Sequence, residues 1–457
     1  MTPLKRISSR VRSKIEISDL RVIRNMAWFS APVPLQFIAG IAQAALIARA
    51  LGTEGFGVLA IYFAVTFVIF GVLSSPASET ITTFVTKSSA AGRSKEAAQV
   101  TRFVFAIAML AGLGAYIILV SFTVFGGQFI GLDQSDTFLL VIFGTTGVLT
   151  TFQWEAVAIL RLADKMKINF LAITTGTIVR IIILAVTLAS GWRIEGVVAA
   201  YVASAVVTAL IFAWAAIRYA DHAGIPDLLQ STKMRVPKEV FTFQLMSFGR
   251  STIKSINRNI DVLLLSNMLG IGQLGIFRAA KQITDFSKQP FSGIATGVQS
   301  EYSRKWYANE ISEFRKFTTR FTIGTILISA LGFGLLLWFK KLVVELVLGP
   351  DFVEVSNLLE ILIPAAFLVT ATTPLTKLPA AIGKAAPVFW AGIAALIVQL
   401  AVIVIAVPTY GLTGAAWAIA IYSYVIVGLT LPFVLHALRT GPPPPIDRSA
   451  ESDFSSR

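Results

Sequence analysis

The sequence predicts an all-α fold: a polytopic membrane protein with twelve transmembrane helices in two six-helix bundles related by a parallel internal repeat. Three observations predict it. Of 457 residues, 55% are apolar and only 14% charged, against about 25% charged in soluble domains, and a water-soluble fold of this length has no room to hide that much apolar side chain. Lys and Arg alternate sharply between successive loops. Short motifs recur at a single offset of 218 residues.

Apolar runs fall at 26–50, 56–77, 103–125, 138–160, 169–190 and 196–217, then at 243–269, 274–298, 321–340, 356–376, 386–407 and 413–437. Each is long enough to cross a hydrocarbon core of about 30 Å as a helix. Residues 1–25 are basic (Lys5, Arg6, Arg10, Arg12, Lys14), but the apolar run behind them is too long for a signal peptide and lacks a small-residue cleavage site, so it reads as a retained helix. With residues 1–25 in the cytoplasm, cytoplasmic segments carry 28 Lys and Arg, external ones three (Arg193, Lys340, Lys341) and the spans eight. This is the positive-inside pattern, and it places both termini on the cytoplasmic side of the inner membrane. The net charge of +14 then reflects topology and contact with anionic membrane lipid, not nucleic-acid binding.

Residues 218–242, with Pro226 and Pro237, read as a cytoplasmic linker between a bundle at 26–217 and a bundle at 243–438. Residues 439–457 are rich in Pro and Ser and read as a disordered cytoplasmic tail. Twelve spans of about 20 residues consume about 240, which leaves little chain for a catalytic domain. The absence of Cys excludes disulfides, thiolate zinc sites, Fe–S clusters and thiol nucleophiles. The GxGxxG string at Gly270, Gly272 and Gly275 lacks the βαβ context of a dinucleotide site, and no Walker phosphate loop is present. No cofactor, metal or enzymatic activity is expected.

The repeat supplies the architecture. Leu51-Gly52 with Gly57 recurs as Leu269-Gly270 with Gly275, Thr101-Arg102-Phe103 as Thr319-Arg320-Phe321, and Gly196 as Gly414. A duplicated unit of six spans enters the membrane in the same sense twice, so the halves are related by an axis along the membrane normal, an arrangement that suits alternating access.

Charges inside the spans mark the expected site. At 100° per residue, Arg250, Lys254, Arg258 and Asp261 share one face of the seventh span, and Arg278, Lys281, Asp285 and Lys288 one face of the eighth. A base at the bilayer centre costs about 2.5–3.5 kcal/mol even on insertion scales, so these stripes are expected to line a wet, basic, anion-binding cavity. A second reading makes residues 243–259 an amphipathic helix on the cytoplasmic surface, with the span starting near Ile260. Asp261 and Asp285 serve either charge balance or ion coupling. Arg49, beside the first Leu-Gly turn, reads as structural or snorkelling, and Glu155 and Arg180 are expected to form an ion pair across the bundle.

The stretches Arg49-Ala-Leu-Gly-Thr-Glu-Gly-Phe-Gly57, Ile159-Leu-Arg161 through Lys165, and Asn259-Ile-Asp261-Val-Leu-Leu-Leu265 followed by Leu269-Gly270, Gly275 and Ile276-Phe277-Arg278-Ala-Ala280 carry a resemblance. Over about residues 24–437 the chain resembles the polysaccharide biosynthesis (oligosaccharide flippase) family. That family holds the Wzx-type O-antigen and exopolysaccharide translocators of the multidrug/oligosaccharidyl-lipid/polysaccharide exporter superfamily. The resemblance implies a flippase for a polyprenyl-pyrophosphate-linked oligosaccharide, working beside polysaccharide polymerase machinery. The six bases Arg250, Lys254, Arg258, Arg278, Lys281 and Lys288 are the expected pyrophosphate site, since Arg suits bidentate phosphate contacts. A cation-coupled multidrug exporter of the same superfamily and a membrane glycan polymerase or ligase are the competing readings.

Overall fold

Apolar stretches placed in lipid must satisfy their backbone groups internally, and helices do this within a single segment. The computed structural model describes residues 28, 31–73, 77–127, 131–226, 228, 238–291, 298, 301–306, 310–382, 384 and 386–440. At residues 77, 89, 90, 238, 243, 245–254, 256–258, 380 and 440 it describes the backbone alone. Among the described residues the fold is nearly all helix: α1 (Pro32–Leu73), α2 (Ala77–Ala90), α3 (Ser94–Gly126), α4 (Gln134–Thr150), α5 (Gln153–Leu162), α6 (Met166–Ala189), α7 (Ile194–Tyr219), α8 (Lys238–Met268), α9 (Ile271–Lys288), α10 (Ile311–Trp338), α11 (Lys340–Val347), α12 (Val355–Ala371), α13 (Thr373–Ala381) and α14 (Ala386–Thr440). The basic amino terminus, residues 227 and 229–237 of the expected linker and the Pro-rich tail beyond residue 440 lie outside the described residues.

Seven of the described helices are long and apolar enough to cross a membrane, or eight if the bent pair α12 and α13 is one span. Two of the seven are double. A straight α1 of 42 residues would be about 63 Å long, twice the hydrocarbon thickness. Gly52 breaks it at φ 64°, ψ −166°, a conformation only glycine adopts cheaply. Gln36 and Phe70 then line one cavity, although a straight helix would hold them about 50 Å apart, so the arms on either side of Gly52 are antiparallel. Gly411 (φ 52°, ψ −128°) breaks the 55-residue α14 in the same way. A Cβ on Gly414 would lie 2.6 Å from the carbonyl oxygen of Ala406, a contact that only a reversed chain makes.

The expected span at 138–160 is a single apolar segment of membrane-crossing length, Gln134–Leu162, with one short turn inside it. Helices α4 and α5 meet at Thr151–Phe152, where Thr146, Thr150 and Thr151 return their hydroxyls to the carbonyls of Phe143, Thr146 and Gly147. Such back-bonding competes with the helix ladder and bends it. In contrast, α8 is one unbroken helix of 31 residues, about 46 Å long; it has no boundary near Ile260.

Two compact units divide the chain. The first holds residues 1–278 and 344–352, the second residues 279–343 and 353–457. In the first, Ile81, Val85, Val104, Ile159, Leu160 and Phe212 form a buried apolar cluster. Its outer faces carry large exposed apolar side chains at helical spacing, as at Leu110, Leu113, Ile117 and Val124 on α3, the pattern of a lipid-facing surface. In the second unit Tyr302, Trp306, Phe314, Leu378 and Val434 are buried together, while Ile323, Leu327, Leu331 and Leu335 of α10 face outward. Arg315 donates from Nε and from Nη2 to the carbonyls of Leu438 and Arg439, 2.8 Å each, placing a cation at the negative end of α14.

Candidate functional site

The first unit holds a half-open cavity of about 280 Å³ between both arms of α1 and the helices α4, α5, α6 and α7. Each helix contributes its inward face. The second arm of α1 brings Phe63, Thr66, Phe67 and Phe70 at spacings of three and four, α6 brings Ile173, Gly176, Thr177 and Arg180, and α7 brings Tyr201, Ser204, Ala205 and Thr208. From α4 come Phe143, Thr146, Gly147 and Thr150, with Gln36 and Gln153 completing the wall. Glycine allows the close packing around it: a Cβ on Gly176 would meet the Thr208 hydroxyl at 2.1 Å, and one on Gly147 the Phe70 ring at 2.6 Å.

Among the described lining residues Arg180 is the one that is charged. Its guanidinium lies 4.8 Å from the centre of the Tyr201 ring, a cation–π contact worth about 2 kcal/mol when shielded from water. Tyr201 is held in turn by Phe63, ring centroids 5.2 Å apart and edge-on, and donates its hydroxyl to Gln43 Oε1 at 3.3 Å. The Arg180 Nε is buried with no acceptor among the described residues.

The expected ion pair between Glu155 and Arg180 is not formed. Glu155 is 1% exposed on α5, which packs against α2 and α7, and its Oε2 has no hydrogen-bond partner among the described residues. Helical geometry explains the correction. Residues 153 and 155 lie about 200° apart on α5, so when Gln153 lines the cavity Glu155 is carried away from it. Arg49 is structural, as one sequence reading had it: its Nη2 donates to the carbonyl of Leu346 at the end of α11.

The eight predicted stripe residues fall on α8 and α9. Arg250, Lys254 and Arg258 have side chains outside the described residues. Asp261 is buried, 1% exposed, and accepts the Val262 backbone N–H at 2.9 Å. Arg278 and Lys281 are half-buried. Lys288 pairs with Asp285 at 2.7 Å.

Long apolar helices with large apolar side chains on their outer faces define a multi-pass membrane protein, here with a small polar cavity inside its first unit. Residues 22–299 match the polysaccharide biosynthesis protein family, and the chain belongs to it. Its fold is that of transporters of the MOP superfamily. An inward-facing multidrug resistance MATE family transporter superimposes with a TM-score of 0.77 at 16% identity, covering 88% of this chain and 94% of that one. The lipid II flippase MurJ in an inward closed conformation gives 0.65 at 17% identity, covering 91% and 88%. A MOP transporter from Pyrococcus furiosus, described as having a binding pocket of reversed polarity, gives 0.63 at 16% identity over 92% and 96%. No curated protein matches the chain.

Sequence reasoning missed most of this cavity. Gln36, Phe63, Phe67 and Phe70 were visible only as uncharged counterparts of Lys254, Lys281, Asp285 and Lys288 at the 218 offset. The missing signal was a run of Thr, Ser and Gln at helical spacing on three consecutive spans, which reads as ordinary small-residue packing until the helices are assembled.

Proposed function

We propose that this chain is a flippase that carries a polyprenyl-pyrophosphate-linked oligosaccharide from the cytoplasmic to the external leaflet of the inner membrane, supplying a surface polysaccharide such as O-antigen, capsule or exopolysaccharide. One observation carries the reading: within a chain of the polysaccharide biosynthesis family, the described lining of the cavity is polar and aromatic, with a cation and no acid. A pump for organic cations would need the opposite charge there. The likeness of fold to a lipid II flippase supports a lipid-linked cargo.

Transport in this reading is alternating access between two six-span bundles, with both termini cytoplasmic. The repeat is supported by the reciprocal seating of Gly57 on Ile271 and Gly275 on Thr53, pairs related by the 218 offset. It is supported also by the offset pair Gly196 and Gly414, each seated against the end of the preceding helix at Thr187 and Ala406. In the first unit the counterparts of Lys254, Lys281, Asp285 and Lys288 all line the cavity. The repeat then turns the basic stripe of Arg250, Lys254, Arg258, Arg278, Lys281 and Lys288 toward a matching cavity in the carboxy-terminal bundle, where it holds the pyrophosphate. Asp261 and Asp285 balance that charge, as the Asp285–Lys288 pair illustrates.

The test is deletion of the gene in its host, with lipid-linked oligosaccharide assayed by leaflet using an external glycan-modifying enzyme that cannot cross the membrane. Intermediates that accumulate shielded from the enzyme, with loss of surface glycan, are expected. Accessible but unpolymerised intermediates would revive the polymerase reading. Replacing Arg250, Lys254 and Arg258 together by Gln is expected to stop transport with expression intact, and normal surface glycan in that variant would remove the stripe from the mechanism.

A further inference from the structure

We infer that the second unit carries a site for a lipid of the bilayer itself: a groove at the amino-terminal end of α10 seats one anionic glycerophospholipid, its phosphodiester on Arg320 and the start of an acyl chain over Phe321, Gly324 and Ile328. The inference stands apart from the cargo and from the transport reading.

Depth comes first. Helix α10 has 28 residues, about 42 Å, and so outruns a hydrocarbon core of about 30 Å. Its charges, Glu313, Arg315, Lys316 and Arg320, all fall in the first ten residues, and the 18 residues of 321–338 carry none. That uncharged stretch is about 27 Å long, close to the hydrocarbon thickness. Arg320 is therefore the last charge before the acyl region, at the level of lipid phosphates.

Shape comes second. The groove is half-open, about 590 Å³ in volume, with Lys305, Lys316 and Arg320 at its polar end. Its floor is held in place from behind: the rings of Phe317 and Phe321 stack with centroids 5.5 Å apart, and Phe317 meets the buried Tyr302 edge-on at 5.8 Å. Further along the same stripe a Cβ on Gly324 would meet nothing within 4 Å, which leaves an open channel that Ile328 continues. Cations at one end and an apolar trough at the other fit an amphiphile lying along the helix.

Charge selects the headgroup. Lys305 is shared between Glu301 and Glu310 at 3.7 Å each, and Lys316 pairs with Glu313 at 3.6 Å. Arg320 is exposed and has no partner among the described residues. Its counterpart at the 218 offset, Arg102 of α3, instead returns its Nε to the carbonyl of Ala98 at 3.2 Å, and the counterparts of Lys316 and Phe317 are Ala98 and Gln99. One unengaged guanidinium matches the single charge of a phosphodiester, whose two free oxygens suit its paired donors. A polyprenyl pyrophosphate would bring at least two charges against that one. An ethanolamine head would bring an ammonium, for which the neighbouring acids are already paired. Phosphatidylglycerol, with a neutral glycerol head, meets all three conditions.

The full-length protein is delipidated in detergent and titrated with phosphatidylglycerol, phosphatidylethanolamine or a polyprenyl phosphate, and the one-lipid adduct is read by native mass spectrometry. Phosphatidylglycerol is expected to fill one saturable site ahead of the other two. Arg320→Gln should weaken it about fivefold, and Gly324→Leu, which fills the trough without touching charge, should weaken it as well. Arg102→Gln should leave the affinity unchanged. Should Arg320→Gln fail to fold, Gly324→Leu carries the measurement, since its added side chain enters open space. Equal binding of phosphatidylglycerol and phosphatidylethanolamine would overturn the assignment, as would an affinity that neither groove variant moves. An equal loss in Arg102→Gln would reduce it to diffuse surface charge, and tighter binding of the polyprenyl phosphate would replace it with a carrier-lipid site.

Discussion

Gly57 and Gly275 are each seated on the other's hairpin. A Cβ added to Gly57 would lie 2.0 Å from the carbonyl oxygen of Ile271, and one added to Gly275 would lie 2.0 Å from that of Thr53. The 218 offset converts one contact into the other, since 53 maps to 271 and 57 to 275. Such reciprocity is what a two-fold axis imposes on an isologous contact, here between two hairpins of one chain, at a distance that leaves no room for any side chain.

Replacing Gly57 or Gly275 by Ala therefore forces backbone apart, and overpacking of this kind costs about 1–3 kcal/mol. Thermal unfolding in detergent should show a lower midpoint for each. Gly270→Ala, whose Cβ would meet nothing within 4 Å, serves as the control and should leave the midpoint in place. An unchanged midpoint for both Gly57→Ala and Gly275→Ala would mean that these hairpins do not hold this contact in solution.

The same junction can be locked. A Cβ on Gly272 would lie 4.0 Å from the Thr53 Cβ, within the range a disulfide spans. In this Cys-free chain the pair Thr53→Cys with Gly272→Cys should cross-link on mild oxidation, read as a mobility shift that thiol reduces. Cross-linking should also stop transport reversibly if the hairpins must part during the cycle.

Arg49 ties the first arm of α1 to the end of α11 through the Leu346 carbonyl, and the nearby Phe56 and Phe352 rings meet edge-on at 5.7 Å. Arg49→Gln removes a charge-assisted bond at an exposed site, for which a loss of about 1 kcal/mol is expected. Limited proteolysis within residues 344–352 should accelerate in that variant and stay at the parent rate in Arg49→Lys to the extent that Lys reaches the same carbonyl.

Glu155 is buried without an ion pair among the described residues. An unpaired buried carboxylate carries a desolvation penalty of several kcal/mol, so the isosteric Glu155→Gln should fold with equal or higher thermal stability. Glu155→Arg, placing a larger fixed charge in the same site, should fail to accumulate in the membrane. Loss of transport by Glu155→Gln at full stability would instead assign the carboxyl a role in the cycle.

Much of the fold was legible in the sequence. The apolar runs between 26 and 217 correspond to the arms of α1 and to α3 through α7, because a helix that must satisfy its own backbone in lipid leaves a length signature. The turns at Gly52 and Gly270 were legible as well, as paired Leu-Gly motifs. Less visible was the break at Thr151–Phe152, since back-bonding threonines look like any other small polar residues in a string.

What the sequence by itself determined is the class: a helical, multi-pass membrane chain of long apolar segments, which depends on local composition and period. Only the tertiary structure decided which inward faces meet. Periodicity shows that Arg180 and Thr177 share a side of α6, but not that Tyr201 lies beneath the guanidinium or that Glu155 is turned away from it. Those facts depend on helix rotation and on close approach at Gly147 and Gly176, set by packing between segments far apart in the chain.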